Sequence, residues 1–319
     1  MNLSSSSESG RDPLSDVLDL LGARVSRNTR LEAAGSWALA FPAVDRLKFV
    51  AVLRGHQWML VPGQEPRRLS EGDVCLLGRT PYGVASDPAV PPVDGRPLYA
   101  APGCDEARIA GDDTISVGGT VTFSTGHADF LLDRLPDVMW VPRSAEGSGT
   151  IGAILALLGR ETGRDAIGSG IVSARLADIL VVEALRTHLG VERNGSGWLG
   201  ALVDPRLGLA LRALHANVAR PWTVDRLASI ACMSRASFAA EFTRRLGQPP
   251  LAYLRTWRLT RARLALEKGG TTVARVASEA GYRSQSAFSQ AYRRAFGASP
   301  TESAPPAQSQ QKNPSPGPG

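Results

Sequence analysis

The feature that most constrains this chain is a motif that occurs twice between residues 222 and 300. In its first part Ala228 aligns with Ala277, at a spacing of 49 residues. One residue is then inserted, and Phe238 aligns with Phe288 at a spacing of 50. A repeat of this length is typical of two copies of one supersecondary unit, so the fold of this region must accommodate the same unit twice.

Each copy of the motif predicts a helix, a tight turn and a second helix. In the first copy Thr223 caps a short helix, Cys232-Met233 forms the turn, and Ser234 caps a helix that ends at Gly247. The corresponding positions of the second copy are Thr272, Gly281, Ser284 and Gly297. This pattern is the signature of a helix-turn-helix, whose second helix enters the major groove of DNA.

The segment between the copies predicts one continuous helix from Leu251 to Glu267. Its 17 residues would span about 26 Å at 1.5 Å per residue. A helix of that length is compatible with an arrangement in which the second helix of each copy reads one of two successive segments of the major groove, whose centres lie about 34 Å apart. The spacing therefore favours one chain that reads two sub-sites on one face of the DNA.

Charge separates this interpretation from a purely structural helical bundle, which periodicity alone leaves open. Residues 205–300 contain 16 Lys or Arg and 4 Asp or Glu, so they carry a net charge of +12. The whole chain carries +6, which leaves −6 for the remainder. A basic excess confined to the repeat indicates nucleic-acid binding, and it also disfavours a third interpretation, in which the helix pairs bind another protein.

The repeat resembles the DNA-binding domain of the AraC/XylS family of transcriptional regulators. The matching segments are Trp222-Thr-Val-Asp-Arg-Leu-Ala228, Met233-Ser-Arg-Ala-Ser-Phe238, Tyr253-Leu-Arg-Thr-Trp-Arg258, Val276-Ala-Ser-Glu-Ala-Gly-Tyr282, Ser286-Ala-Phe-Ser-Gln-Ala-Tyr292 and Ala295-Phe-Gly-Ala-Ser-Pro300. The resemblance implies a regulator whose partners are double-stranded operator DNA, RNA polymerase, a small-molecule effector and a second copy of the chain. It also implies a cytoplasmic location.

The second helix of each copy carries an aromatic stripe, formed by Phe238 and Phe242 in the first copy and by Phe288 and Tyr292 in the second. Helical periodicity points the candidate DNA-contacting residues away from this stripe. On the first they are Arg235, Ala236, Ala239, Ala240 and Arg244, and on the second Gln285, Ser286, Ser289, Gln290, Arg293 and Arg294. Arginine pairs with guanine and glutamine with adenine, whereas the alanines offer only apolar contacts to thymine methyl groups. Arg244, Arg293 and Arg294 are expected on phosphates. Each of these residues could instead be an ordinary solvated helix residue.

The N-terminal half has a different hydropathy pattern, in which short apolar or alternating runs are separated by Gly and Pro. The runs are 37–41, 47–53, 57–61, 73–77, 120–123 and 138–141. Such a pattern predicts a small β-barrel or jelly roll. The turn Glu71-Gly72-Asp73 and the region as a whole resemble the cupin-type sensor domains that precede AraC-type DNA-binding domains. The proline-rich segment Asp87–Gly103 is either a pocket lid or an exposed loop.

The predicted fold class is therefore α+β, with a cupin-like barrel followed by an all-α domain in which a long helix joins two helix-turn-helix motifs. The expected segments are a disordered start (1–12), an effector-sensing domain (13–145), a helical dimerisation and linker region (146–197), a DNA-binding domain (198–300) and a disordered tail (301–319). In the third segment we expect a helix capped by Ser173 and ended at Gly190. It contacts either a second chain or the barrel and neighbouring helices.

The barrel contains candidates for effector binding but no pattern typical of catalysis. Trp37 and Trp58 would line an apolar pocket or pack in the core, and His56 would touch an effector or end a strand. The chain has 4 histidines, of which only His56 and His127 lie in the β region, so we expect no metal site, no cofactor and no enzyme activity. The alternative is a cupin-type enzyme or ligand-binding protein that carries a helical nucleic-acid-binding module.

Cysteine and hydropathy patterns bear on the compartment. The three cysteines are scattered and form no CxxC spacing, which favours a reducing environment. Cys232 in the first turn is either a small buried thiol or a redox switch. We expect no signal peptide and no membrane segment, because no apolar run approaches 18 residues.

Overall fold

The computed structural model describes residues 12–101, 103–123, 128–162, 166–191 and 197–303, which form two compact units. The first unit contains the chain up to Ala216 together with Val224–Pro250, and the second contains Asn217–Thr223 and the chain from Leu251 onward. His127 and residues 192–196 lie outside the described ranges, as do residues 1–11 and 304–319, which make up most of the two segments predicted to be disordered.

Two facing sheets build the N-terminal part of the first unit. The strands are β1 Arg24–Ala33, β2 Ala38–Phe41, β3 Leu47–Arg54, β4 His56–Leu60, β5 Arg67–Ser70, β6 Val74–Leu77, β7 Tyr82–Ala85, β8 Val93–Asp94, β9 Glu106–Ile109, β10 Thr114–Thr122 and β11 Val138–Val141. One sheet has the order β11-β6-β3-β10-β1-β9 and the other β5-β4-β7-β2-β8. Their inner faces share one apolar core around Trp37, Val52, Met59 and Leu77, and this arrangement confirms the predicted barrel.

The turn before β6 is held by the aspartate that the sequence places there. Gly72 adopts φ +89°, a backbone conformation that glycine tolerates better than other residues. The Asp73 carboxylate accepts hydrogen bonds from the backbone N–H groups of Ser70 at 2.8 Å and Arg143 at 2.7 Å. The same side chain therefore closes its own turn and fixes the segment that leaves β11.

Four helices and one 3₁₀ turn accompany the sheets. They are α1 Pro13–Leu21, a 3₁₀ turn Arg96–Tyr99, α2 Asp129–Leu132, α3 Ser148–Thr162 and α4 Ser169–Val191. The predicted boundaries of α4 were wrong, because Ser173 is buried inside the helix and Gly190 continues it. The segment 87–103 is not a plain loop either, since β8 and the 3₁₀ turn lie within it.

The first copy of the repeat completes the first unit and consists of α7 Val224–Ile230 and α8 Arg235–Leu246. Two helices precede it, α5 Gly197–Val203 and α6 Leu207–Ala216. Ser234 caps α8 by accepting a hydrogen bond from the Ser237 N–H, and Gly247 ends α8 with φ +71°, as predicted. Phe238 and Phe242 are fully buried. The interpretation of Cys232 as a buried thiol was wrong, since this residue is exposed and adopts φ +52°.

The second unit contains the connecting helix α9 Pro250–Lys268 and the second copy, whose helices are α10 Val273–Glu279 and α11 Gln285–Phe296. The predicted connecting helix is confirmed as α9, whose 19 residues span about 28 Å. Thr272 and Ser284 cap α10 and α11 as predicted. The core of this copy contains Phe288 and Tyr292, packed against α9 residues such as Leu259.

Candidate nucleic-acid interface and barrel cavity

The second helices of the two copies, α8 and α11, bury their aromatic stripes and leave the predicted DNA-contacting faces open. On α8, Arg235, Ala236, Ala240 and Arg244 are exposed and Ala239 is half-buried. On α11, Gln285, Ser286, Gln290, Arg293 and Arg294 are exposed and Ser289 is half-buried. The structure therefore brings the predicted residues of each copy together on one face of their own helix.

Acidic neighbours neutralise the arginines of the first copy. The Asp225 carboxylate lies 3.3 Å from the Arg235 guanidinium. Glu241 accepts hydrogen bonds from the Nε atoms of Arg244 and Arg245, both at 2.8 Å. The hydrogen bond from Arg244 contributes most, and together with that from Arg245 it lowers the pKa of Glu241 to about 2. This carboxylate therefore stays charged near neutral pH. The α8 surface thus offers little uncompensated positive charge to DNA.

The second copy lacks both of these carboxylates. The repeat aligns Asp225 with Ala274 and Glu241 with Ala291. Among the described residues Arg294, the counterpart of Arg244, forms no ion pair. Because a phosphate contact needs an available cation, the α11 surface is better suited than α8 to bind the DNA backbone.

A cavity of about 220 Å³ lies between the two sheets of the barrel. Strand register aligns Arg27, Thr120 and Lys48 in one row across β1, β10 and β3. The next row contains Gly118, which exposes bare backbone on this wall of the cavity. The opposite wall is a stacked pair of rings, Phe41 and Tyr82, with centroids 5.1 Å apart. The cavity therefore joins a polar row to an aromatic wall.

The predicted effector-binding residues do not border this cavity. Trp37 is 4% exposed and belongs to the core between the sheets. Trp58 is half-buried on β4, on the side opposite to the buried Gln57 and Met59. His56 is exposed at the start of β4, where its carbonyl oxygen accepts a hydrogen bond from the Thr114 hydroxyl at 2.8 Å. Their role in effector binding stays a prediction.

The described ranges contain neither a metal-ligand cluster nor a helix able to cross a membrane. Within them no group of three or more His, Cys, Asp or Glu side chains has an arrangement that could hold a metal ion. No described helix combines the length and the apolar character that crossing a bilayer requires.

Comparison with known proteins matches both halves of the chain. A family described as Cupin matches residues 12–190, and one described as Helix-turn-helix domain matches residues 227–304. An AraC-like transcription regulator of Streptomyces lividans is 40% identical over 293 residues, which are 91% of this chain and 96% of that protein. This chain belongs to the AraC family of transcription regulators.

Two further proteins are similar to this chain. The HTH-type transcriptional regulator AlkR of Acinetobacter baylyi is 30% identical and covers 91% of this chain and 97% of its own length. The crystal structure of an AraC-type DNA-binding domain-containing protein from Chromobacterium violaceum covers 31% of this chain and 88% of that chain, at 30% identity and a TM-score of 0.30. The match to the AraC-like regulator of Streptomyces lividans and to the helix-turn-helix family makes the protein a DNA-binding transcription regulator of the AraC type.

Sequence reasoning missed the polar residues of this AraC-family barrel. Arg27, Lys48 and Thr120 are far apart in the chain and meet only through the register of three strands. The one local signal for this site is Lys48, a half-buried lysine in β3, a strand that is otherwise rich in valine and leucine. A lysine at an interior position is rare enough to suggest a ligand site.

Proposed function

We propose that this AraC-family regulator reads its operator mainly with α11 of the second helix-turn-helix. The observation that carries this proposal is the exposed amide pair, Gln285 and Gln290, on the start and middle of a capped helix whose other side is core. Glutamine donates to and accepts from the adenine edge in the major groove. The corresponding positions of α8 are Arg235 and Ala240, of which the first is paired with Asp225.

The barrel is proposed to sense a small molecule, and the helices that follow it to join two copies of the chain. A cleft between two sheets with polar and aromatic walls is a usual form of a small-ligand site. Although α4 packs on β1 and α3, it still exposes Ile171 and Ile179, by 72% and 50%. An apolar surface of this kind supports a homodimer, which sedimentation of the full chain would test: a single-chain mass at micromolar concentration contradicts it.

Other parts of the proposal rest on family membership. We propose RNA polymerase as a partner and a cytoplasmic location, because transcription takes place where operator DNA and polymerase meet. We also propose that the protein has no enzymatic role, since its relatives are named transcription regulators. A metal bound in stoichiometric amount to the purified protein would favour a cupin-type enzyme instead.

Selection of bound fragments from sheared source-genome DNA tests the proposed function. The purified full-length protein is used at two salt concentrations. We expect the enriched fragments to share a two-part motif with halves about one helical turn apart. Uniform binding that disappears at the higher salt concentration would indicate purely electrostatic attachment and contradict sequence-specific regulation.

Removing one cation from each copy separates their contributions to phosphate binding. Arg294→Ala should lower the affinity for operator and unrelated DNA alike by about fivefold, and should reduce the slope of log K against log salt by about 1. Arg244→Ala should have a smaller effect on both quantities, because Glu241 already neutralises that guanidinium. Fluorescence anisotropy at four or more salt concentrations measures affinity and slope together.

The matched variant Glu241→Gln removes the neutralising carboxylate from the first copy. It should raise the affinity for all DNA and steepen the salt slope, since Arg244 and Arg245 lose their shared counter-charge. Equal losses in Arg294→Ala and Arg244→Ala, together with no gain in Glu241→Gln, would show that the ion pairs of α8 do not limit its contact with DNA.

A further inference from the structure

The barrel cavity has a marked charge imbalance. Three cationic side chains border it, namely Arg27, Lys48 and Arg96, and no carboxylate is among its lining residues. Two of the three cations are neutralised by carboxylates nearby: Arg27 lies 2.6 Å from Asp105, and Arg96 lies 2.7 Å from Asp94. The remaining cation, Lys48, therefore determines the charge that the cavity offers to a ligand.

Lys48 has no acidic partner among the described residues. Its ammonium lies 5.2 Å from the ring centroid of Tyr82 and 5.6 Å from that of Phe41, so its protein environment consists of aromatic rings instead of a carboxylate. Burial, and to a lesser extent Arg46, lower its pKa below the ordinary lysine value. A half-buried charge in such a position destabilises the empty protein, and an anion from outside would compensate it.

Two hydroxyl groups, of Thr120 and Tyr82, border the same cavity as the ammonium and suit an oxyanion. The Thr120 hydroxyl stands between Arg27 and Lys48 in the same row, and the phenol of Tyr82 is on the facing wall. Burial raises the pKa of the Tyr82 phenol, so this group keeps its proton near neutral pH. Protonated hydroxyl groups can donate to an anion that lies beside the ammonium.

The rest of the cavity is small and partly apolar. Leu31 and Val50 contribute aliphatic surface. The volume of about 220 Å³ is below the 300–1,000 Å³ that is typical of sites for drug-sized ligands, which indicates a small metabolite. We infer that the barrel cavity binds a small organic anion whose carboxylate-type group lies on Lys48 and whose apolar part packs on Leu31 and Val50. This inference rests on the proposed role of the barrel as the effector-sensing part.

Carboxylates and their neutral amides test the inference on the full-length protein. The probes are phenylacetate, 3-phenylpropanoate and 4-phenylbutanoate, each titrated calorimetrically beside the corresponding amide. We expect at least one carboxylate to bind at least about tenfold more tightly than its amide, because hydrogen bonds to charged groups are about twice as strong as neutral ones. The inference is overturned if none of the carboxylates binds, or if carboxylates and amides bind equally.

Lys48→Met removes the charge and keeps the length of the side chain. The preference for carboxylate over amide should vanish in this variant and persist in the matched control Lys268→Met, which changes an exposed lysine of the other unit. Because Lys48 has no counter-charge, Lys48→Met should melt at the wild-type temperature or above it, so lost binding would not reflect unfolding. A carboxylate preference that survives Lys48→Met overturns the inference.

The DNA-fragment selection separates failure of this inference from failure of the proposed function. If no probe binds while the protein still enriches a two-part motif, the ligand class is wrong and the regulator stands. If the wild-type protein enriches no motif, with or without a bound carboxylate, the proposed function itself fails, and a measured carboxylate preference would then describe a binding protein of another kind.

Discussion

Replacing Gln285 and Gln290 together by alanine should remove most of the preference of this regulator for its operator over unrelated DNA. Both amides are exposed on α11, and each good pairing with a base edge contributes about 1–3 kcal/mol of discrimination. The double variant should therefore lose at least about tenfold in the ratio of operator to non-specific affinity. Its non-specific affinity and its salt slope should not change, because no cation is removed. Competition between operator and scrambled duplexes measures this ratio.

The first copy provides the control for this loss of specificity. Arg235 occupies the position that corresponds to Gln285, but it is already paired with Asp225, and its exposed neighbours Ala236 and Ala240 offer no hydrogen bonds. Arg235→Ala should therefore reduce the ratio less than the double variant does. A double variant with wild-type preference would mean that these glutamines do not read the bases. A larger loss in Arg235→Ala would mean that α8 and not α11 reads them.

The helix boundaries in the repeat were predictable because they are set by local interactions. Ser234, Thr272 and Ser284 each accept a hydrogen bond from the backbone N–H three residues later. Such caps involve only neighbouring residues, so they can be read from the sequence without knowledge of the fold. The same is true of Gly247 and Gly297, whose positive φ angles end α8 and α11.

Tertiary packing overrode local signals in α4. Ser173 has the chemistry of a cap, but its side chain is buried four residues inside the helix, next to Ala177 on the packed face. The true start at Ser169 follows Gly168, which adopts φ +84°. The helix is longer than its capping signals suggest because it packs against α3 and β1, and such contacts stabilise helical turns that local propensity leaves undecided.

The candidate sites were only partly predictable for a related reason. Exposure of the α8 and α11 faces follows from helical periodicity, and the structure agrees with it. The ion pairs of Glu241 with Arg244 and Arg245 have helical spacings, and the sequence could have revealed them. The barrel cavity was different, since Arg27 and Lys48 are brought together only by the pairing of β1 and β3 with β10. Strand register is a long-range property that no short pattern encodes.

The turn of the second helix-turn-helix depends on a glycine for two separate reasons. Gly281 adopts φ +78°, a region that costs other residues about 1–2 kcal/mol. A Cβ atom at this position would also lie 2.7 Å from the carbonyl oxygen of Ala219 and 2.8 Å from Nη2 of Arg258. Arg258 cannot easily move aside, because it donates hydrogen bonds to the carbonyl oxygens of Val218 and Arg220, both at 2.8 Å.

Gly281→Ala should therefore destabilise the second unit by about 3 kcal/mol, the sum of the backbone cost and a steric overlap of about 1–3 kcal/mol. Hydrogen exchange of the α10 and α11 amides in the full chain should show this loss as faster local opening, with operator binding reduced in parallel. Such a loss would follow because α11 reads the bases only when the turn holds it against the core of the second copy.

The matched control is Cys232→Gly at the corresponding position of the first copy, where a non-glycine residue already adopts φ +52°. This variant relieves the left-handed backbone but increases the freedom of the unfolded chain, so the two effects should leave stability within about 1 kcal/mol of the wild type. Wild-type exchange rates in Gly281→Ala would show that the second turn does not require the glycine. A large change in Cys232→Gly would show that the first copy depends on its turn residue in a way that backbone conformation alone does not explain.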